Sequence, residues 1–217
     1  MVLIAPPPPL RPPTPIFQDL PGGTSLVRLF LPAAHGVGPL TFRAFGPLRR
    51  FDHHEGIPRG RGRQPSLSSS RRVYYAAPTL SCCIAEVFGD LGLIEPGEWH
   101  VALPLLIRPL RLLDLRGAGA LRAGSVAALT QMPDHRLGQA WSRHFYDDHA
   151  YGLPDGLPDG LLYAGAHNGE DAVLLYERAE AALSCAPGDV LRLDDPALRP
   201  ALLDIALANN LILALPP

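Results

Sequence analysis

The sequence predicts one mixed α+β domain, and three observations predict it. Strand-length apolar runs and stripes of helical period follow one another at unequal spacing, without the regular βα alternation of a doubly wound fold. The 217 residues are 47% hydrophobic and 18% charged, which suits one sizeable core and makes two full domains implausible. The 21 glycines and 25 prolines are dispersed between apolar runs rather than gathered in one block, which excludes global disorder.

The elements follow in order. Prolines crowd Pro6 to Pro15, so residues 1–20 read as an extended tail and residues 21–217 as the domain. Thr24 to Leu31 and Leu40 to Phe45 are β-prone runs separated by Gly36, Gly38 and Pro39. An arginine-rich loop spans Pro47 to Ser70, with Asp52 and Glu55 as counter-charges. Arg72 to Ala77 reads as a buried strand, and Thr79 as the N-cap of a helix over Leu80 to Gly89.

Leu80, Cys83, Ile84, Val87 and Phe88 form one apolar stripe on that helix. Glu86 lies off the stripe beside Ser81, Cys82, Ala85 and Gly89, small residues that let another segment or a ligand approach closely. Strands are expected at Trp99 to Leu106 and Leu110 to Leu115, and helices at Ala120 to Leu129 and Arg136 to Tyr146. A tandem Gly-Leu-Pro-Asp between Gly152 and Gly160 reads as a turn-rich loop. Leu161 to Ala164 and Ala172 to Glu177 are strand-like and flank a polar turn, and a last helix over Pro196 to Asn210 precedes a strand at Leu211 to Leu215.

Composition excludes several chemistries. All 19 basic residues are arginine, so Schiff-base chemistry and a phosphate-loop lysine are excluded and any cation touching substrate is a guanidinium. A net charge of −2 gives no case for a generally basic nucleic-acid binder. The 3 cysteines, Cys82, Cys83 and Cys185, form neither a disulfide framework nor a metal spacing, and no apolar run has the length of a membrane span. A cytoplasmic protein is the expectation. Gly-x-Ser-x-Gly, His-Glu-x-x-His, Cys-x-x-Cys and Gly-x-Gly-x-x-Gly are all absent. His53-His54-Glu55 and the His144 to His149 run match no metal-ligand spacing, so no metal is expected.

The run Arg59-Gly60-Arg61-Gly62-Arg63 has the composition of an RNA-binding segment, but no aromatic ladder accompanies it. The ordered set of runs is more specific. TSLVRLF from Thr24, GPLTFRAFGPLRRFD from Gly38 and RVYYAAPTLSCCIAEVF from Arg72 are followed by PLRLLDL from Pro109, DGLLYAGAHNG from Asp159 and AVLLYERA from Ala172. Together they resemble the RES domain family across most of the chain beyond the proline run.

That resemblance implies a fold related to ADP-ribosyltransferase toxins, with NAD as substrate and no separate cofactor. It also implies phosphorolysis, hydrolysis or ADP-ribosyl transfer at the nicotinamide bond, and a small antitoxin protein as partner. It places the family arginines at Arg28 and Arg50, the strand tyrosine at Tyr75 and the helix glutamate at Glu86. The family serine falls at Gly165, after Tyr163, where this chain carries no hydroxyl. Asn168 and His167 are the nearest polar side chains and the groups able to compensate, and Asn168 is counted with Arg28, Arg50, Tyr75 and Glu86 among the residues that bind NAD.

The chemistry suits these residues independently. Guanidinium forks on Arg28 and Arg50 match pyrophosphate oxygens, and Glu86 can face the positive charge that grows on ribose as nicotinamide leaves. Tyr75 can stack on a ring or donate its hydroxyl, and inorganic phosphate or water is the attacking group. A catalytically impaired relative that only binds a protein partner is the alternative that Gly165 raises.

Overall fold

The computed structural model describes residues 3–34, 36–60, 62–152 and 156–214. Its principal elements are β1 (Phe17–Leu20), β2 (Arg28–Phe30), β3 (Val73–Ala76), α1 (Leu80–Phe88), β4 (His100–Ala102), β5 (Leu110–Asp114), α2 (Ala118–Arg122), α3 (His135–Asp147), β6 (Gly160–Ala164), β7 (Asp171–Tyr176), β8 (Val190–Arg192) and α4 (Arg199–Ala208). The α+β expectation holds.

Five strands form a mixed sheet in the order β1-β5-β6-β7-β3, in which β5 and β6 are parallel and the other neighbours antiparallel. A second, three-stranded antiparallel sheet runs β8-β4-β2. The two meet where Val27 and Ala77 exchange backbone hydrogen bonds of 2.7 and 2.9 Å. The chain therefore turns a corner between the sheets just before Arg28.

Alternation along the strands sorts the large sheet's side chains into two apolar clusters. Leu113, Leu161, Tyr163, Leu174 and Tyr176 pack with Ile84 and Phe88 of α1 and with Trp141 and Phe145 of α3. Leu112, Leu162, Val173, Leu175 and Tyr74 pack on the other side with Leu26, Phe42, Leu106 and Ala182. Both faces of the sheet are covered, so β6, and β7 after Asp171, are buried nearly throughout rather than alternating.

Several expectations shift for identifiable reasons. Thr79 caps α1 as expected, its Oγ1 accepting from the Cys82 N–H at 3.1 Å. The buried side of α1 takes in Cys82 and Ala85, while Val87 of the expected stripe is exposed. The helix expected over Ala120 to Leu129 is broken into α2 and a 3-10 turn, Ala127–Thr130, because Gly124 adopts a φ of +85°. Pro104 divides the strand expected over Trp99 to Leu106 into β4 and the pair Leu105–Leu106, since proline donates nothing to a ladder.

The Leu40 to Phe45 run yields one bridge, Arg43 to Val73, and a two-residue pairing at Phe45–Gly46. Short pairings also form within the arginine-rich segment, Ile57–Arg59 with Gly62–Gln64, and Arg61 lies outside the described residues. So do Leu153 to Asp155 of the tandem loop and Leu215 of the last strand.

The expected tail is engaged with the domain. Phe17 to Leu20 form the edge strand β1 on β5, Trp141 Nε1 donates to the Ala5 carbonyl at 2.9 Å, and Ile4 packs against the core. The proline run is thus a strap laid along the domain, extended because proline fixes φ and removes the N–H. Among the described residues no helix is long and apolar enough to cross a membrane.

Candidate active site

Glu86 projects from α1 toward the turn joining β6 and β7. The small residues flanking it do admit another segment. Ser81 Oγ donates to Glu170 Oε1 at 2.5 Å, and a Cβ on Gly89 would lie 2.5 Å from the His167 ring. The Glu86 Oε1 atom accepts from the His167 backbone N–H and faces His167 Nδ1, both at 3.2 Å. Gly165 lies directly under this carboxylate, since a Cβ there would be 2.9 Å from Oε1. The position that the resemblance assigns to a serine is therefore beside the glutamate in space, although 79 positions away in sequence (165 − 86).

The second wall is the Leu48–His54 segment. Asp52 is fully buried and organises it. Its carboxylate takes two bonds of 2.8 Å from Arg43 Nη2, backbone N–H bonds from Leu48 at 2.5 Å and Arg49 at 3.0 Å, and the Tyr75 hydroxyl at 2.9 Å. Tyr75 is thereby fixed, and burial with the adjacent Asp52 charge pushes its phenol well above the ordinary range.

Arg50 is half-buried, and its Nη1 donates to the Met132 carbonyl. Burial pulls its pKa down, while Glu86 first, then Tyr163, Tyr75 and Asp90, act in the opposite sense. Those neighbours define the site. Tyr163 lies near both Glu86 and Arg50, its phenol raised by burial and by the Glu86 charge, with its ring 4.9 Å from that of Phe51.

Arg50, Tyr75, Glu86 and Gly165 are thus brought together. Arg28 and Asn168 are placed differently. Arg28 is buried with its guanidinium 4.1 Å from the ring centroid of Tyr74, on the strand face opposite Tyr75. Its Nε has no hydrogen-bond partner among the described residues. The Asn168 amide is committed to Glu170 Oε1 at 2.9 Å, Asn209 Oδ1 at 3.2 Å and Ser81 Oγ at 3.5 Å, which ties the turn to α1 and α4.

Asp52, Tyr163, Asp90 and the His167 clamp were not singled out from the sequence. Tyr163 reads there only as the residue two before the position that the resemblance assigns to a serine, and Asp52 as an ordinary loop counter-charge. Among the described residues no three His, Cys, Asp or Glu side chains gather as a metal site. Arg59 and Arg63 are exposed on their hairpin, and Arg63 donates to the Glu55 carbonyl at 2.7 Å.

Behind Asp52 lies a buried polar layer. His53 Nε2 meets Glu177 Oε2 and His54 Nε2 meets the Arg43 carbonyl, each at 3.1 Å, and both rings are fully buried. Burial pushes His53 down and His54 to about 4, from a usual 6.5. Burial works to raise Glu177, but bonds from His53, Tyr146 and backbone N–H groups outweigh it and hold the carboxyl at about 2.

Both shifts act in one direction. Histidines whose pKa falls on folding leave the unfolded chain binding more protons below 6.5, and a depressed carboxyl costs stability as pH falls below its usual 4.5. The denaturation midpoint is therefore expected to drop steadily as pH is lowered from 6.5 toward 4, and His54→Gln to flatten that slope. A midpoint that is constant or rises over this range contradicts the assignment.

Comparison with known proteins bears on the family and the fold. A family model described as RES domain matches residues 39–195. A curated relative, "Probable toxin y4kH" of Sinorhizobium fredii (strain NBRC 101917 / NGR234), is 36% identical over 89 residues, 41% of this chain. The match spans 65% of that relative's length. A chain in the crystal structure of the M.tuberculosis MbcT-MbcA toxin-antitoxin complex shares the fold at a TM-score of 0.54 and 16% identity, over 85% of this chain and 91% of that one.

Proposed function

This chain belongs to the RES domain family, and on that premise we propose that it consumes NAD by cleaving the bond between nicotinamide and ribose. The observation that carries this reading is that Arg50 lies within electrostatic reach of Glu86, Tyr163 and Tyr75, drawn from three other segments, while Gly165 lies under the Glu86 carboxylate. The described hydrogen bonds of Glu86 all fall on Oε1, which leaves Oε2 to meet the ribose.

As the glycosidic bond breaks, nicotinamide departs with the bonding pair and positive charge builds on the anomeric carbon. A carboxylate held against that carbon stabilises the transition state more than the ground state. An oxygen of inorganic phosphate or of water then forms the new bond, and with water a proton is released. Arg50 is the cation beside Glu86 for a pyrophosphate oxygen, whereas Arg28, buried over Tyr74 on the opposite strand face, is not part of this cluster. Tyr75, fixed by its bond to Asp52, offers a rigid ring near Arg50.

The relative called a probable toxin and the neighbour found in a toxin-antitoxin complex support the further reading that this chain is a toxin held by a small antitoxin. Gly165 favours a second reading, a protein that binds NAD or a partner without turnover, because position 165 carries no hydroxyl that could orient the attacking oxygen.

The test is NAD consumption by the purified protein with and without phosphate, following nicotinamide and the ribosyl product. Nicotinamide with a phosphorylated ADP-ribose establishes phosphorolysis, and nicotinamide with plain ADP-ribose establishes hydrolysis. Binding without release at any phosphate concentration establishes the second reading.

A further inference from the structure

Resting on the NAD-cleaving reading above, we propose that His167, as an imidazolium, is a positioning residue that clamps Glu86 Oε1 and so fixes the carboxylate that faces the ribose. Its Nδ1 lies 3.2 Å from Glu86 Oε1 and its Nε2 lies 3.0 Å from Asp90 Oδ1. Both partners are carboxylates, which only accept when ionised, and a neutral imidazole carries a single N–H. The two contacts are simultaneous hydrogen bonds only when both ring nitrogens are protonated.

Two glycines make the arrangement sterically feasible. Gly89 ends α1 where a Cβ would strike the His167 ring at 2.5 Å, and Gly165 clears the space under Glu86 where a Cβ would approach Oε1 to 2.9 Å. The missing side chain at 165 and the imidazole two residues later are parts of one device. Glu86 occupies the ground that a side chain at 165 would contest, and takes its side-chain hydrogen bond from His167 instead.

The charged surroundings fit this role. Glu86 and Asp90 face His167 from the α1 side, Arg50 and Tyr163 lie near Glu86, and Arg49 and His135 stand near Asp90. Cys82 also lies close to Glu86, and Glu170 belongs to the same turn as His167. Burial works to lower the His167 pKa, but the bonds to Asp90 and Glu86 outweigh it and the net shift is upward from 6.5. His167 in turn holds the Asp90 carboxyl below its usual range.

The clamp is therefore complete below the His167 pKa and lost as pH rises through it. The backbone N–H of residue 167 also reaches Glu86, so replacing the side chain removes the imidazole contact alone.

Two measurements test the proposal. The first follows the His167 ring by NMR against pH. It is expected to titrate above 6.5 in the wild type and to move downward in both Glu86→Gln and Asp90→Asn. The second follows kcat for NAD consumption. The wild type is expected to lose activity as pH rises through the measured His167 pKa, and His167→Ala to lower kcat by ~10–10²-fold with KM little changed. His167→Gln, a donor that does not titrate, is expected to restore much of kcat and to remove the alkaline fall.

A ring that titrates at or below 6.5, or that ignores Glu86→Gln, overturns the clamp. So does His167→Ala with wild-type kcat and pH profile. A wild type that consumes no NAD rejects the NAD reading separately, and the NMR titration then decides the clamp by itself.

Discussion

Glu86→Gln is expected to reduce NAD consumption by about 10²–10³-fold while leaving the fold and NAD binding in place. Glutamine keeps the length of the side chain and an oxygen that accepts from the His167 N–H, so the contact between α1 and the turn survives. What disappears is the negative charge opposite the ribose as nicotinamide leaves. That charge acts chiefly in the transition state, so kcat carries the loss and binding changes little. The structural cost is small because Glu86 is 30% exposed and its partner His167 is 26% exposed. A part-exposed pair of this kind contributes at most about 1 kcal/mol, or about 2–4 °C in unfolding temperature for a chain of this size. Nicotinamide release under saturating NAD, with calorimetric NAD binding beside it, checks the result. Turnover within about threefold of wild type removes Glu86 from the chemistry.

The family resemblance singled out Glu86, Tyr75, Arg50 and Gly165, and local rules fix where the chain carries the first two. Thr79 caps α1 because a hydroxyl at that position can accept from the third N–H along, and once α1 begins there the position of Glu86 follows from the helical repeat. Tyr75 and Tyr163 are readable as strand residues within apolar runs.

Asp52 was not legible, because its importance comes from Arg43 and Tyr75, 9 and 23 residues away, which only the folded chain brings to one carboxylate. The same holds for His167 and Glu86, 81 residues apart, whose contact depends on how closely the β6–β7 turn approaches α1. Arg28 shows a different limit. Alternation puts it on the side of the strand opposite Val27, but which side holds the site depends on where α1 packs, and α1 packs with Val27. The arginine consequently lies over Tyr74 rather than beside Tyr75.

Asp52→Ala is expected to produce the largest loss of stability of any single change near the site. The side chain is fully buried, and its removal strands the Arg43 guanidinium, the N–H groups of Leu48 and Arg49, and the Tyr75 hydroxyl together. Breaking a fully buried ion pair costs about 3–5 kcal/mol. The Arg43 side chain is 29% exposed and recovers part of its hydration, but the stranded N–H groups and the Tyr75 hydroxyl keep their desolvation penalty and lose its compensation, which holds the total near that range. Domains are stable by only about 5–15 kcal/mol, so the variant is expected to unfold at a far lower urea concentration and about 10 °C or more lower in temperature. Asp52→Asn separates charge from shape. Its amide oxygen can still accept, but its NH2 group is set against donors, so it should lie between wild type and alanine. Where Asp52→Asn remains folded, Tyr75 loses its fixed acceptor and the Arg49–Arg50 turn loses its anchor, so NAD consumption should fall further than stability does. Equilibrium urea unfolding with an unchanged m-value, read beside nicotinamide release at a temperature where each variant is folded, measures both effects. A midpoint for Asp52→Ala equal to that of wild type would show that the buried carboxylate does not hold the wall of the site together.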